Sequence, residues 1–133
     1  MPDHPMSRSG RHSVELRDRR VWLDGVPRLL LGGEVHYFRL ARSLWRERLQ
    51  QLMDCGCNTL ATYVPWLWHE LPDGTTDVTG RTHEQRDLAG FLDLAGEMGL
   101  YVVARPGPFI MAEIKNEGVP YRVYDAPDVL PTT

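Results

Sequence analysis

The sequence has a single lysine, Lys115, against 14 arginines, and no run of either is dense enough to mark an electrostatic footprint for nucleic acid. DNA and RNA are therefore not expected partners. Apolar stretches are short. None approaches the ~20 residues of a membrane helix, so no membrane partner is expected. The opening MPDHPMSRSGRHS has no apolar leader segment, which points to a cytoplasmic location. Cysteine is scarce. Cys55 and Cys57, one residue apart, are poorly spaced for a disulfide and too few for a zinc site, so buried free thiols are expected. The Gly-x-Gly-x-x-Gly turn, the phosphate loop and the Gly-x-Ser-x-Gly elbow are all missing. His36, His69 and Glu70 lack the spacing of a metal motif, so neither metal nor cofactor is expected.

What remains is the composition of an ordinary folded domain. The chain has 133 residues, 42% hydrophobic and 25% charged, with a net charge of −3. Residues 1–13 are polar and proline-containing and read as a disordered lead-in. Residues 14–27 hold two short β-like pieces, VELR and VWL, followed by the turn signal Asp24-Gly25, which predicts a hairpin or small β plug. Leu29-Leu30-Leu31 before Gly32-Gly33 reads as a strand buried on both faces.

A helix follows, with Ser43 as its expected cap and Leu44, Trp45, Leu49, Leu52 and Met53 on one stripe. Asn58–Val64 is rich in β-branched residues and reads as the second strand, ended by Pro65. Thr82-His83-Glu84-Gln85 matches a capping box for a second helix, with Leu88, Phe91, Leu92, Ala95 and Met98 on its apolar face. Leu100–Arg105 is the third strand, and residues 125–133 form an irregular tail.

The order β, α, β, α, β builds a parallel sheet. Two closures fit: a doubly wound sheet, or the first three βα units of a (β/α)₈ barrel preceded by a short β-hairpin. In both, ligands bind at the carboxyl ends of the strands. Three segments qualify there: Gly33–Tyr37, Tyr63–Glu70 and Arg105–Glu113. Their aromatic faces and directional polar groups suit a sugar, whose C–H faces stack while its hydroxyls hydrogen-bond. Tyr63 equally fits a core tyrosine, Glu113 a salt-bridge partner for Arg105, and His36 and His69 packing roles.

GGEVHYFRL, TLATYVPWLWHE and GLYVVARPGPFIMAEIKNEGVPY occur in that order. Together they resemble the start of the catalytic barrel of glycoside hydrolase family 35, the β-galactosidase family, over residues 14–124. Ile114, Glu117 and Arg122 depart from the family pattern, which has a tryptophan, a glycine and commonly an aromatic at these positions.

The resemblance implies an α/β fold, a partial TIM barrel, in a retaining enzyme that hydrolyses terminal β-galactosyl residues. It implies that Tyr63, Met111, Ala112 and Glu113 contact the sugar. A retaining mechanism needs two carboxyl groups roughly 5–5.5 Å apart. In this family they lie after the fourth and seventh strands, so no catalytic residue is expected in this chain, which reads as an inactive fragment. The expected partner is a β-galactoside or related carbohydrate, with self-association through an uncovered sheet edge. The alternatives are a non-catalytic carbohydrate-binding remnant and a small doubly wound binding module.

Overall fold

The computed structural model describes residues 12–127. Nearly all of the expected lead-in, and the tail beyond residue 127, lie outside the described residues. The first element is larger than a hairpin. β1 (Val14–Arg17), β2 (Arg20–Leu23) and β3 (Val26–Arg28) form an antiparallel meander. Its two turns, Asp18-Arg19 and Asp24-Gly25, have positive φ at both central residues, the geometry that matches strand twist in two-residue loops. Asp24 secures its end by accepting from the Ser13 N–H at 2.8 Å. Pro27 lacks a donor, and it sits on the outer strand β3 where none is needed.

The second sheet is parallel, in the order β4 (Gly32–Glu34), β5 (Thr59–Val64), β6 (Tyr101–Pro106). The first of these begins later than expected. Leu29 and Leu31 are 74% and 50% exposed rather than buried on both faces. The Asn58 side chain explains this: it accepts from the Leu31 N–H at 2.9 Å and donates to the Leu29 carbonyl at 2.8 Å. It thereby engages backbone groups that a strand would have placed in a ladder. Gly33 lets the following helix pack against β4, since a methyl there would lie 2.4 Å from Leu52 Cδ1.

That helix, α1 (Trp45–Asp54), grows directly out of a tight turn at Arg42–Leu44. Ser43 lies inside the turn and caps nothing, contrary to expectation. The capping box also fails. Thr82 is drawn to Asp77, and α3 (Leu88–Glu97) is capped instead by Asp87, which accepts from the Gly90 N–H at 2.9 Å. A short helix, α2 (Trp66–His69), follows β5, and α4 (Tyr121–Tyr124) lies beyond β6.

Both long helices turn their apolar stripes to the parallel sheet. Tyr37, Trp45, Leu49, Leu60, Phe91 and Ala95 form the centre of the core. The rings meet edge to face, Trp45 on Phe91 at 5.1 Å and Tyr37 on Trp45 at 6.5 Å, the arrangement their quadrupoles favour. Cys55 is exposed and Cys57 half-buried, both free, so the expected burial of the thiols does not hold. They flank the exposed end of α1 rather than its core stripe. No helix among the described residues is long and apolar enough to cross a membrane.

Candidate functional site at the strand ends

The carboxyl ends of β4, β5 and β6 carry a compact charged and aromatic cluster. Tyr63, near the end of β5, is in register with Arg105 on β6. The Arg105 guanidinium lies 3.8 Å from the Tyr63 ring centroid, a close cation–π contact. Arg105 also donates to Glu34 at the end of β4. His36 stands 5.4 Å from Tyr63, ring to ring, with Nε2 3.4 Å from the other Glu34 oxygen. Burial lowers the His36 pKa, and the positive charge of Arg39 lowers it further, against the opposing pull of Glu34. The imidazole is therefore held neutral at pH 7. The Tyr63 hydroxyl makes no hydrogen bond among the described residues. Its ring contacts both His36 and Arg105, while its polar atom has no partner among the described residues.

Beneath this cluster lies a buried polar chain. The Tyr37 hydroxyl and His69 Nε2 are 2.5 Å apart, and His69 Nδ1 is 2.5 Å from the Asp77 carbonyl. A carbonyl can only accept, so Nδ1 carries the proton and Nε2 accepts from the phenol. Burial pushes the Tyr37 pKa up and the His69 pKa down, so both groups stay neutral. The Asp77 carboxylate is held well below the usual carboxylate range, first by the Thr82 hydroxyl and then by the backbone N–H groups of Thr82, Thr79 and Arg81. This chain ties the turn after β4 to the long connection between β5 and α3.

The two tryptophans after β5 divide their roles. Trp68 packs against the core and donates from Nε1 to the Gln85 carbonyl at 3.0 Å. Trp66 lies under the Arg122 guanidinium, 5.4 Å from its centroid. Arg122 also grips the largely buried Glu70 with two nitrogens. Thus Arg122, at a position where the family commonly has an aromatic, fastens the segment after β6 to the segment after β5.

The remaining site residues lie in the connection after β6. Met111 is 76% exposed, and Glu113 is exposed with no hydrogen bond or ion pair among the described residues. Ala112, only 2% exposed, turns its methyl inward, and its carbonyl accepts from Arg39. A contribution from Ala112 to a ligand would therefore come from its backbone. The alternative of a Glu113–Arg105 salt bridge is not realised, because Arg105 takes Glu34. Among the described residues no hydrogen bond joins Tyr63 to Glu113.

Sequence reasoning assigned no role to Glu34 or Arg39, and it offered Arg105 the wrong partner, Glu113 in place of Glu34. The available signal was a charged residue at or next to the end of strands otherwise built from small and apolar residues. Among the described residues no group of three or more His, Cys, Asp or Glu could hold a metal ion.

Tyr63 near the end of β5, the Glu34–Arg105 pair and the connection after β6 together bring aromatic and charged groups to the carboxyl side of the parallel sheet. The profile of Glycosyl hydrolases family 35 matches residues 20–130. The chain belongs to that family. Over 118 residues it is 43% identical to an exo-β-D-glucosaminidase of Thermococcus kodakarensis, covering 88% of this chain and 15% of the relative. It is 45% identical over 97 residues to a β-1,2-glucosyltransferase of Ignavibacterium album, covering 73% and 14%. It is 43% identical over 105 residues to human β-galactosidase-1-like protein 2, covering 79% and 15%. The chain thus spans about 15% of the length of the relatives it matches.

Proposed function

We propose that residues 14–124 are the first three βα units of a (β/α)₈ barrel and supply one wall of the −1 sugar subsite of a retaining β-glycosidase. The substrate is a terminal β-linked sugar, with β-galactosides as the first candidate. Tyr63 offers its phenol and Glu113 accepts sugar hydroxyl hydrogens as a carboxylate. Met111 and the Ala112 backbone complete the contact. The observation that carries this reading is that, among the described residues, neither the Tyr63 hydroxyl nor the Glu113 carboxylate has a hydrogen-bond or ion-pair partner, with Tyr63 near the end of β5 and Glu113 in the connection after the adjacent β6. Parallel α/β folds bind ligands at those ends.

The roles are binding ones. Glu34 and Glu70 are each engaged by an arginine, Arg105 and Arg122, and are given no role in the reaction. The family resemblance puts both carboxyl groups of the double displacement after the fourth and seventh strands of the barrel, outside these residues. The names of the relatives support a shared chemistry on β-linked sugars, and they leave more than one sugar in contention.

A hybrid tests this. Residues 14–124 replace the matching segment of the Thermococcus kodakarensis enzyme, and hydrolysis of aryl β-D-galactoside and aryl β-D-glucosaminide is measured. Turnover by the hybrid and none by the 133-residue chain is expected, with the galactoside the better substrate. Turnover by the chain alone after stringent purification would overturn the assignment of binding roles. A preference for the glucosaminide in the hybrid would move the substrate from galactose to an amino sugar.

A further inference from the structure

The connection after β6 carries four non-glycine residues in the left-handed region: Met111, Glu113, Asn116 and Glu117, with φ of 40°, 48°, 52° and 51°. Side chains disfavour this region, and it persists where surrounding contacts over-determine the backbone. At one end of the stretch the determinants are internal. The Ile110 N–H donates to the Glu117 carbonyl at 3.0 Å and the Val119 N–H to the Asn116 carbonyl at 2.9 Å. Gly118 closes the curl, since a methyl there would lie 2.8 Å from Ile110.

Residues 111–113 are held from elsewhere. The Arg39 guanidinium donates to the Ala112 carbonyl across a separation of 73 residues. Arg39 has a firm base. It closes the turn Tyr37–Arg39, whose first two side chains are buried, and its own N–H donates to the His36 carbonyl at 3.1 Å. Its guanidinium passes 5.3 Å from the Phe38 ring centroid.

The Ala112 carbonyl and the Glu113 N–H belong to one planar peptide unit. Rotation of that unit changes ψ of Ala112 and φ of Glu113 together and leaves the rest of the chain nearly in place. Such a rotation would release Glu113 from the left-handed region, so the relaxed loop prefers it. A guanidinium fixed on the carbonyl opposes it.

We infer that Arg39 is a positioning residue whose guanidinium locks the Ala112–Glu113 peptide and holds Glu113 in the conformation that presents its carboxylate at the strand ends. The inference deepens the proposed subsite and rests on it for its purpose. The lock itself can be tested without sugar.

The experiment is hydrogen exchange with mass spectrometry on the full 133-residue chain, comparing wild type with Arg39→Met and Arg39→Lys. Methionine keeps most of the stem over Phe38 and removes the donor, whereas lysine keeps a donor and the charge. In Arg39→Met, exchange across residues 107–119 should rise ten-fold or more while β5 keeps its protection. Arg39→Lys should recover part of the loop protection, which a purely packing role would not produce.

Unchanged loop exchange in Arg39→Met with β5 protected overturns the lock, and so does equal acceleration in both variants. If Arg39→Met loses β5 protection, Arg39→Leu, which likewise has no donor, is read in its place with the same two outcomes. Should Glu113→Gln leave hydrolysis by the hybrid untouched while the exchange result holds, the lock stands and the subsite reading falls.

Discussion

The two sheets of this molecule use similar residues to different ends. The meander exposes Val14 and Leu16 at 70% and 82%, whereas β5 buries Leu60 and Thr62 completely. In the meander, order comes from turn geometry, the ladder and the Arg17 guanidinium lying 3.7 Å from the Trp22 ring centroid. In the parallel sheet it comes from the aromatic core and from polar chains threaded between connections. The lesson is that the strand ends inherit their rigidity from beneath. Tyr63 and Glu34 stand on a packed sheet, while β1 stands on little. Ligand-facing groups belong on the first kind of support.

The largest test of this contrast is a pair of alanine substitutions. Phe91→Ala should destabilise the chain by about 3–5 kcal/mol, the usual cost of removing a buried aromatic, whereas Leu16→Ala should stay within about 0.5 kcal/mol. Denaturant unfolding would measure both. Similar losses at the two sites would erase the distinction between the sheets.

A smaller effect is expected from Tyr37→Phe. It leaves the fully buried ring in place and strands the His69 Nε2 acceptor, at a cost of about 1–3 kcal/mol. A neutral result would mean that the polar chain under the strand ends carries no stability.

The same chain sets a pH dependence. The His69 pKa is lowered from its ordinary 6.5, chiefly by burial, so the unfolded chain binds its proton more tightly than the folded one. That contribution is complete above pH 6.5 and is lost as pH falls below it. Asp77, lowered from 3.8 by its hydrogen bonds, adds a second loss at pH below 3.8. Stability should thus erode on acidification in two stages, and His69→Gln should shrink the first to the share of His36, whose pKa is lowered too. Stability that rises as pH drops from 7 to 5 would contradict the neutral assignment of His69.

The smallest expected effect concerns the outer edge of β6. Val103 is 43% exposed on a strand paired on one side only, an open template for another strand. Val103→Lys should shift the chain toward monomer in size-exclusion chromatography at matched concentration. An unchanged profile would show that this edge does not drive association.

Much of this was legible in the sequence, for identifiable reasons. The apolar stripes of α1 and α3 and the β-branched run of β5 carry their own periodicity, so the βα order and the strand ends followed. The start of β4 did not, because Asn58, 27 residues away, captures the backbone at Leu31. The cap of α3 did not, because Asp77 outcompetes the helix for Thr82. Tyr63 and Glu113 were singled out only through motifs that resemble the family's. Arg39 and the Glu34–Arg105 pair escaped because their partners lie 73 and 71 residues distant, and no local pattern reports such pairings.

The central claim is that these strand ends hold a sugar, and Glu113 tests it most directly. In the hybrid enzyme, Glu113→Gln replaces a carboxylate acceptor with a neutral amide. Hydrogen bonds to charged groups contribute about 1.5–3 kcal/mol, so kcat/KM should fall roughly 10- to 150-fold. Tyr63→Phe, which loses a neutral hydroxyl, should cost less. A Glu113→Gln hybrid with wild-type kcat/KM on both aryl glycosides would contradict the account.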